Sequence, residues 1–279
     1  MLVRCWGSRG SISVSGKEYI KYGGDTTCVE VVGSSGDIII LDAGTGIRRL
    51  GNKLMDEKPS EINIFFTHSH WDHLAGFPFF KPLYHGHSHI HIRGPRTTQD
   101  SIMKIVSHTM TPPYFPVELE DIHADIEFLS TTQDTIEIGS MKVRTIPLSH
   151  TNKGVGYSIE EDGKSFVFLT DNELTHKHHY GLERSEYVKF SEGADLLIHD
   201  AEFTPREYER TKGWGHSVYH DALDMAIEAG VKELGLFHHN QDRTDDQIDA
   251  INEDCVRIIK EKKVKLLCTA VATGTEIEL

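Results

Sequence analysis

The sequence predicts an α/β fold in which a β-sheet sandwich is covered by helices. Three observations carry that expectation. Short apolar runs recur early in the chain and return after its middle, the pattern of strands buried on both faces. Two segments of the last third place apolar residues at helical spacing and carry helix end signals. No linker, low-complexity stretch or repeat interrupts residues 1–279, so the whole chain is expected to form one domain.

The elements follow in order. Thr26–Gly33 is β-branched and partly alternating. Asp37–Leu41 is an apolar run closed by Asp42-Ala43-Gly44-Thr45-Gly46, and Ile62–Thr67 is another that ends at a histidine cluster. Phe77 to Ser130 is less regular; Ser101–Met110 reads as a short helix stopped by Pro112-Pro113. Strands resume at Lys142–Leu148, Gly154–Glu160, Ser165–Thr170 and Asp195–His199, with Glu161-Asp162-Gly163 turning the second of these into the third. His220–Ala229 sets Ala222, Met225, Ala226 and Ala229 on one helical face before the stop at Gly230. Thr244–Lys262 opens on a capping box, Thr244 to Gln247, and repeats Ile248, Ile251, Cys255 and Ile258 at helical spacing. Glu233–Phe237 and Val264–Ala270 are expected strands on either side of it.

Composition narrows the partners. The net charge of −14 and the lack of a basic patch, Lys260–Lys265 being the best basic run, weigh against a long nucleic acid as partner but not against a small anion. Cys5, Cys28, Cys255 and Cys268 have no CxxC spacing and read as small buried hydrophobes. The N-terminus lacks the pattern of a signal peptide and no apolar run is long enough to span a bilayer, so a cytoplasmic protein without a membrane partner is expected.

The 18 histidines are the unusual feature, and their positions matter more than their number. Thr67-His68-Ser69-His70-Trp71-Asp72-His73 follows an expected strand, so a turning backbone sends His68 and His70 to one side and Asp72 and His73 to another. Two metal ions close together need that division. His150, Asp171 and His238 each follow an apolar run, and strand ends on one edge of a sandwich converge on a common cleft. His85, His87, His89 and His91 alternate in a strand-like segment and share a face; they read as an adventitious cluster. His176, His178 and His179 read as solvated loop residues.

His68-x-His70-x-Asp72-His73, then His150, Asp171 and His238, resembles the metallo-β-lactamase superfamily in order and spacing over nearly the whole chain, and Asp42-x-Gly44-x-Gly46 resembles its second-strand turn. The resemblance implies an αββα sandwich of two mixed β-sheets flanked by helices. It also implies two divalent metal ions: zinc is expected, with manganese or iron compatible. One ion would take His68, His70, His150 and Asp171; the other would take Asp72, His73, Asp171 and His238. Asp171 would bridge, and a hydroxide between the ions would attack. His199-Asp200-Ala201-Glu202 and Gly215-His216-Ser217 are similar to segments of the ribonuclease Z branch, which implies His216 as the acid and Asp200 as its orienting carboxylate. Asp72 would ligate and also orient the water.

Help for a leaving oxygen favours phosphodiester hydrolysis over lactam, lactone or thioester chemistry. The tRNA-processing members carry an arm between the positions of His150 and Asp171, where this sequence has room only for a hairpin. Trp6–Ile12, Tyr22–Cys28 and Pro113–Val117 resemble armless members that open cyclic nucleotides, often as homodimers. The resemblance implies a 3′,5′-cyclic nucleotide substrate, with Arg9 on its phosphate and Tyr114 or Phe115 stacked on its base. The rival expectations are a ribonuclease Z-type endonuclease, a lactonase or phosphonate-related diesterase on the same site, and a non-catalytic nucleotide binder.

Overall fold

The computed structural model describes residues 1–95, 102–131 and 135–279. The chain opens with β1 (Leu2–Gly7), β2 (Cys28–Val32) and β3 (Ile38–Leu41), then α1 (Ile47–Glu57) and β4 (Glu61–Phe65). The histidine cluster runs into a one-turn helix, α2 (Trp71–Leu74), and β5 (His89–Gly94), α3 (Ile102–Thr109) and β6 (Asp125–Ser130) complete the first half. The second half holds β7 (Ile136–Ile138), β8 (Met141–Pro147), β9 (Val155–Glu161), β10 (Lys164–Leu169), α4 (Arg184–Phe190), β11 (Leu196–Asp200), α5 (Pro205–Thr211) and α6 (Tyr219–Glu228). It ends with β12 (Glu233–Phe237), α7 (Asp245–Lys262), β13 (Leu267–Ala270) and β14 (Glu276–Glu278).

These form two seven-stranded mixed sheets, in the orders β14-β1-β2-β3-β4-β5-β6 and β13-β12-β11-β10-β9-β8-β7. The inner faces meet in one apolar layer, with Val29, Ile39, Leu41 and Phe65 from the first sheet against Tyr157, Phe166, Phe168 and Phe237 from the second. The outer face of the first sheet packs on α1 and α3, and that of the second on α4, α6 and α7. The layers are thus helix, sheet, sheet, helix, as the sequence predicts.

Strand positions agree within a few residues. Glu233–Phe237 is unchanged, and the Glu161–Gly163 turn joins β9 to β10 as a hairpin. Thr244 caps α7, its N–H donating to Gln247 Oε1 at 2.9 Å. β13 starts at Leu267 rather than Val264, because Lys263 ends α7 in a left-handed cap. Ser101, the expected start of α3, lies outside the described residues. Only His89 and His91 of the alternating histidines are in a strand; His85 and His87 sit in the preceding turn. The sequence does not predict β1, β6, β7, β14, α1, α2, α4 or α5.

The layout positions the chemistry. Parallel pairing of β3 with β4 and of β10, β11 and β12 brings the C-terminal ends of those strands to one edge. Asp42, the His68 cluster, Asp171 and His238 follow β3, β4, β10 and β12 there, the place where open α/β sheets collect ligands.

Candidate metal centre

The cluster loop is set by Asp42. Its backbone is left-handed (φ 62°), which turns the chain out of β3 and aims the carboxylate across the edge of β4. Oδ1 accepts from the Thr67 N–H at 2.7 Å; Oδ2 accepts from Thr67 Oγ1 and His73 Nδ1, both at 2.8 Å. Burial keeps the Asp42 carboxyl above its usual range despite these donors. Asp42→Ala strands the Thr67 N–H and His73 Nδ1 in a dry interior. It is expected to lower the urea unfolding free energy by about 2–3 kcal/mol and metal affinity by about 10–100-fold.

Around this loop the structure brings together all seven residues singled out as ligands. Donor atoms of His68, His70, His150 and Asp171 lie within 4.8 Å of one another, and so do those of Asp72, His73, Asp171 and His238. Asp171 is common to both groups. Its Oδ2 is 3.5 Å from His68 Nε2 and 3.4 Å from His238 Nε2, and its Oδ1 is 3.3 Å from His73 Nε2. Asp72 Oδ2 sits 3.3 Å from His73 Nε2 and 3.0 Å from His238 Nε2, and also accepts from the Ser11 N–H at 2.8 Å.

The donor set fits two cations. Four rings use Nδ1 on the protein and turn Nε2 inward: His68 to Thr67 Oγ1, His73 to Asp42, His150 to the Gly215 carbonyl at 2.8 Å and His238 to Glu202 at 3.0 Å. This is the outer shell that metal-binding histidines need. His68 Nε2 and His73 Nε2 are buried without a hydrogen-bond partner among the described residues. Burial lowers the pKa of His68 and takes that of His150 to about 3, which leaves neutral nitrogens as donors. Burial also opposes charge on His73 and His238, but Asp72 and Asp171 outweigh it and raise both, the sign of a cleft that demands cations.

Asp171 and His238 are themselves left-handed, with φ 52° and 58°. Such strain costs about 1–3 kcal/mol per residue and persists where the surroundings fix it. The room for His150 comes from Gly215, at φ 96°, where a Cβ would stand 2.2 Å from His150 Nδ1. Gly215→Ala is therefore expected to displace His150 and leave the cleft with about one ion instead of about two, read by elemental analysis after dialysis as about one ion fewer than in the parent protein.

Beside the cluster stands His216, stacked on His238 with ring centroids 4.7 Å apart. Its Nδ1 lies 2.8 Å from Asp200 Oδ2 and 3.3 Å from Glu202 Oε2, so the aspartate spans the pairing distance despite its short side chain. Burial disfavours a charged ring, yet Glu202 and Asp200 prevail and hold the pKa up at about 9. The sequence reading gave Glu202 no role. The signal was its spacing: it stands two residues past Asp200 and also holds His238.

The expectations for Arg9 and His178 are corrected. Arg9 is fully buried and spends its guanidinium on the carbonyls of Gly23, Asn240 and Arg243, so it fastens the N-terminal loop beside His238 and does not reach a phosphate. His178 is not solvated: its Nε2 meets buried Glu173 at 2.7 Å. Tyr114 and Phe115 line an apolar pocket of about 360 Å³ with Trp71, Phe79 and His108. Trp71 immediately precedes Asp72, which puts that pocket next to the cluster.

Residues 38–239 match the family model described as "Beta-lactamase superfamily domain". Ribonuclease Z of Haloarcula marismortui is 26% identical over 251 residues, which cover 74% of this chain and 78% of that protein. The metallo-beta-lactamase fold protein YhfI from Bacillus subtilis superposes with a TM-score of 0.70 at 18% identity, covering 99% of both chains. A diphosphatase of the PhnP family superposes with a TM-score of 0.66 at 18% identity, covering 100% of this chain and 97% of that one. These two are likenesses of fold.

Proposed function

The chain belongs to the beta-lactamase superfamily as a metal-dependent hydrolase, and from that premise we propose that it is a dinuclear phosphodiesterase for small diesters, with 3′,5′-cyclic nucleotides as the leading substrates. The observation that carries the reading is His216, held by Asp200 and Glu202 at the rim of the ligand cluster. A lactam or thioester needs little help with its leaving group, whereas a ribose oxygen does.

His68, His70, His150 and Asp171 would hold one ion, and Asp72, His73, Asp171 and His238 the other. We take zinc as the metal, since imidazole and carboxylate donors suit it, manganese and iron being compatible. When bound, the ions supply Lewis acidity and an acidified water. Asp72 takes Ser11 and His238 through Oδ2, and we assign its Oδ1 to orienting the attacking water. His216, protonated at neutral pH, donates from Nε2 to the departing oxygen while Asp200 keeps Nδ1 occupied. Trp71, Phe79 and Tyr114, 68%, 56% and 89% exposed, offer ring faces for a base beside that centre. Tyr114→Ala is expected to raise KM by about 10-fold or more with kcat little changed, since a base–aromatic stack is worth about 1–3 kcal/mol; initial rates across a substrate range read the split.

The relatives named ribonuclease Z favour a second reading, endonucleolytic cleavage of RNA. The β9–β10 hairpin fills the segment between His150 and Asp171, and the net charge is −14, which supports the small substrate instead. Among the described residues no helix is long and apolar enough to cross a membrane, and we place the enzyme in the cytoplasm as a one-domain homodimer, a state that sedimentation showing monomer alone would remove. The test is chromatography after incubating the metal-loaded protein with cyclic nucleotides, an aryl phosphodiester and a precursor tRNA. Opening of cyclic AMP or GMP to the monophosphate supports the proposal. Cleavage of the aryl diester alone removes the cyclic substrate, and cleavage of the tRNA alone moves the protein to the second reading.

A further inference from the structure

We propose a third metal site, separate from the dinuclear cleft, in which His89, His91 and Glu127 bind one transition-metal ion such as Zn²⁺ on the inner face of the first sheet. The register builds it. His89 and His91 are two apart on β5 and share a face, and in the parallel pairing with β6 they stand opposite Asp125 and Glu127. A donor atom from each of His89, His91 and Glu127 lies within 4.8 Å of the other two. His91 Nδ1 is 3.1 Å from Glu127 Oε2, and His89 Nε2 is 3.9 Å from the same oxygen.

The outer contacts aim these atoms. His89 Nδ1 is held by Asp125 at 2.9 Å, and His91 Nε2 by Glu61 at 2.7 Å. Each ring thus gives one nitrogen to a carboxylate and turns the other toward Glu127, the carboxylate–histidine–metal arrangement. His89 Nε2 is buried with no hydrogen-bond partner among the described residues, although its side chain is one-third exposed overall. Half-exposed Glu127 is free to shift the few tenths of an ångström that tetrahedral coordination asks, and water completes the shell.

The place is distinct from the cleft. Glu61, His89 and Asp125 begin β4, β5 and β6, whereas the dinuclear cluster lies beyond the far end of β4, which is about 13 Å from Glu61 at about 3.3 Å per residue. The inter-sheet apolar core takes Phe65 from β4 and none of its residues from β5 or β6, so this strip of inner face is polar and reachable. β6 is the edge strand, so an ion here would clip the edge of the sheet to its neighbour.

The test is zinc stoichiometry by equilibrium dialysis and elemental analysis at micromolar free Zn²⁺, comparing the full-length protein with His89→Gln/His91→Gln and with Glu127→Gln. The expected result is about one Zn²⁺ fewer per chain in the double variant, about two against about three, with Glu127→Gln intermediate or equal to it. Aryl phosphodiester turnover should stay unchanged, because none of the three residues touches the cleft. Equal zinc content in all proteins overturns the proposal. The reading is the difference between proteins, so a failure of the dinuclear centre would appear separately, as a low total in every one.

Discussion

Asp171→Ala is expected to abolish turnover, by on the order of 10³-fold or more, and to cut the metal held in the dinuclear cleft below one ion. Among the described residues no other enters both donor groups: Asp171 Oδ2 faces His68 and His238, and Oδ1 faces His73. Ala removes that shared carboxylate and leaves histidines whose attraction for a cation is no longer backed by its charge. The burial of Asp171 would otherwise raise its pKa, but His238, His73 and His68 hold it well below the usual range, which favours the carboxylate. Loss of activity is expected with the fold retained. Circular dichroism with metal analysis on the same sample checks it: native spectrum, more than one ion fewer than in the parent protein, no turnover.

His216→Ala is expected to act on the leaving group and leave metal content alone. For a diester with an alkoxide leaving group, such as a cyclic nucleotide, kcat should fall by about 10²–10⁴-fold. For a nitrophenyl diester, whose leaving oxygen needs no proton, it should fall by far less. That differential separates an acid from a merely structural histidine. The pH profile adds an independent reading. Glu202 and Asp200, against the cost of burial, hold His216 up at about 9, so the protonated form predominates at neutral pH and is lost as pH rises through that value. Cations bound beside it oppose its charge, so the alkaline limb of kcat is expected at or below about pH 9. The limb should be absent in His216→Ala on the alkoxide substrate; an unchanged limb would assign it to another group.

Much of the site could be read from the chain because its residues sit at strand ends. A buried strand writes itself as an apolar run, and the polar residues just past the run mark the sheet edge, as His150, Asp171 and His238 do. The resemblance pairs Asp200 with His216, and the structure gives the distance. What escaped depended on the third dimension. Glu202 holds His238 and His216 through contacts between separate loops. Arg9 looked like a phosphate contact, but carbonyls from two distant segments close around it. β6 and β14 lie at sheet edges, where burial is incomplete and the apolar signature fades, and Asp125–Ser130 mixes acids with hydrophobes. α1 had a legible signal in Ile47, Leu50 and Leu54, but the glycines ahead of it drew the eye to a turn. His89 and His91 were seen to share a face; only the register with β6 supplied the third donor.

The most direct measurement is a metal titration of chelator-stripped protein, following hydrolysis of an aryl phosphodiester as Zn²⁺ is added back. Turnover that is nil at the start and plateaus at about two equivalents, with any further ion adding none, is the expected result. Hydrolysis that persists in chelator, or none at any loading, would contradict a dinuclear phosphodiesterase.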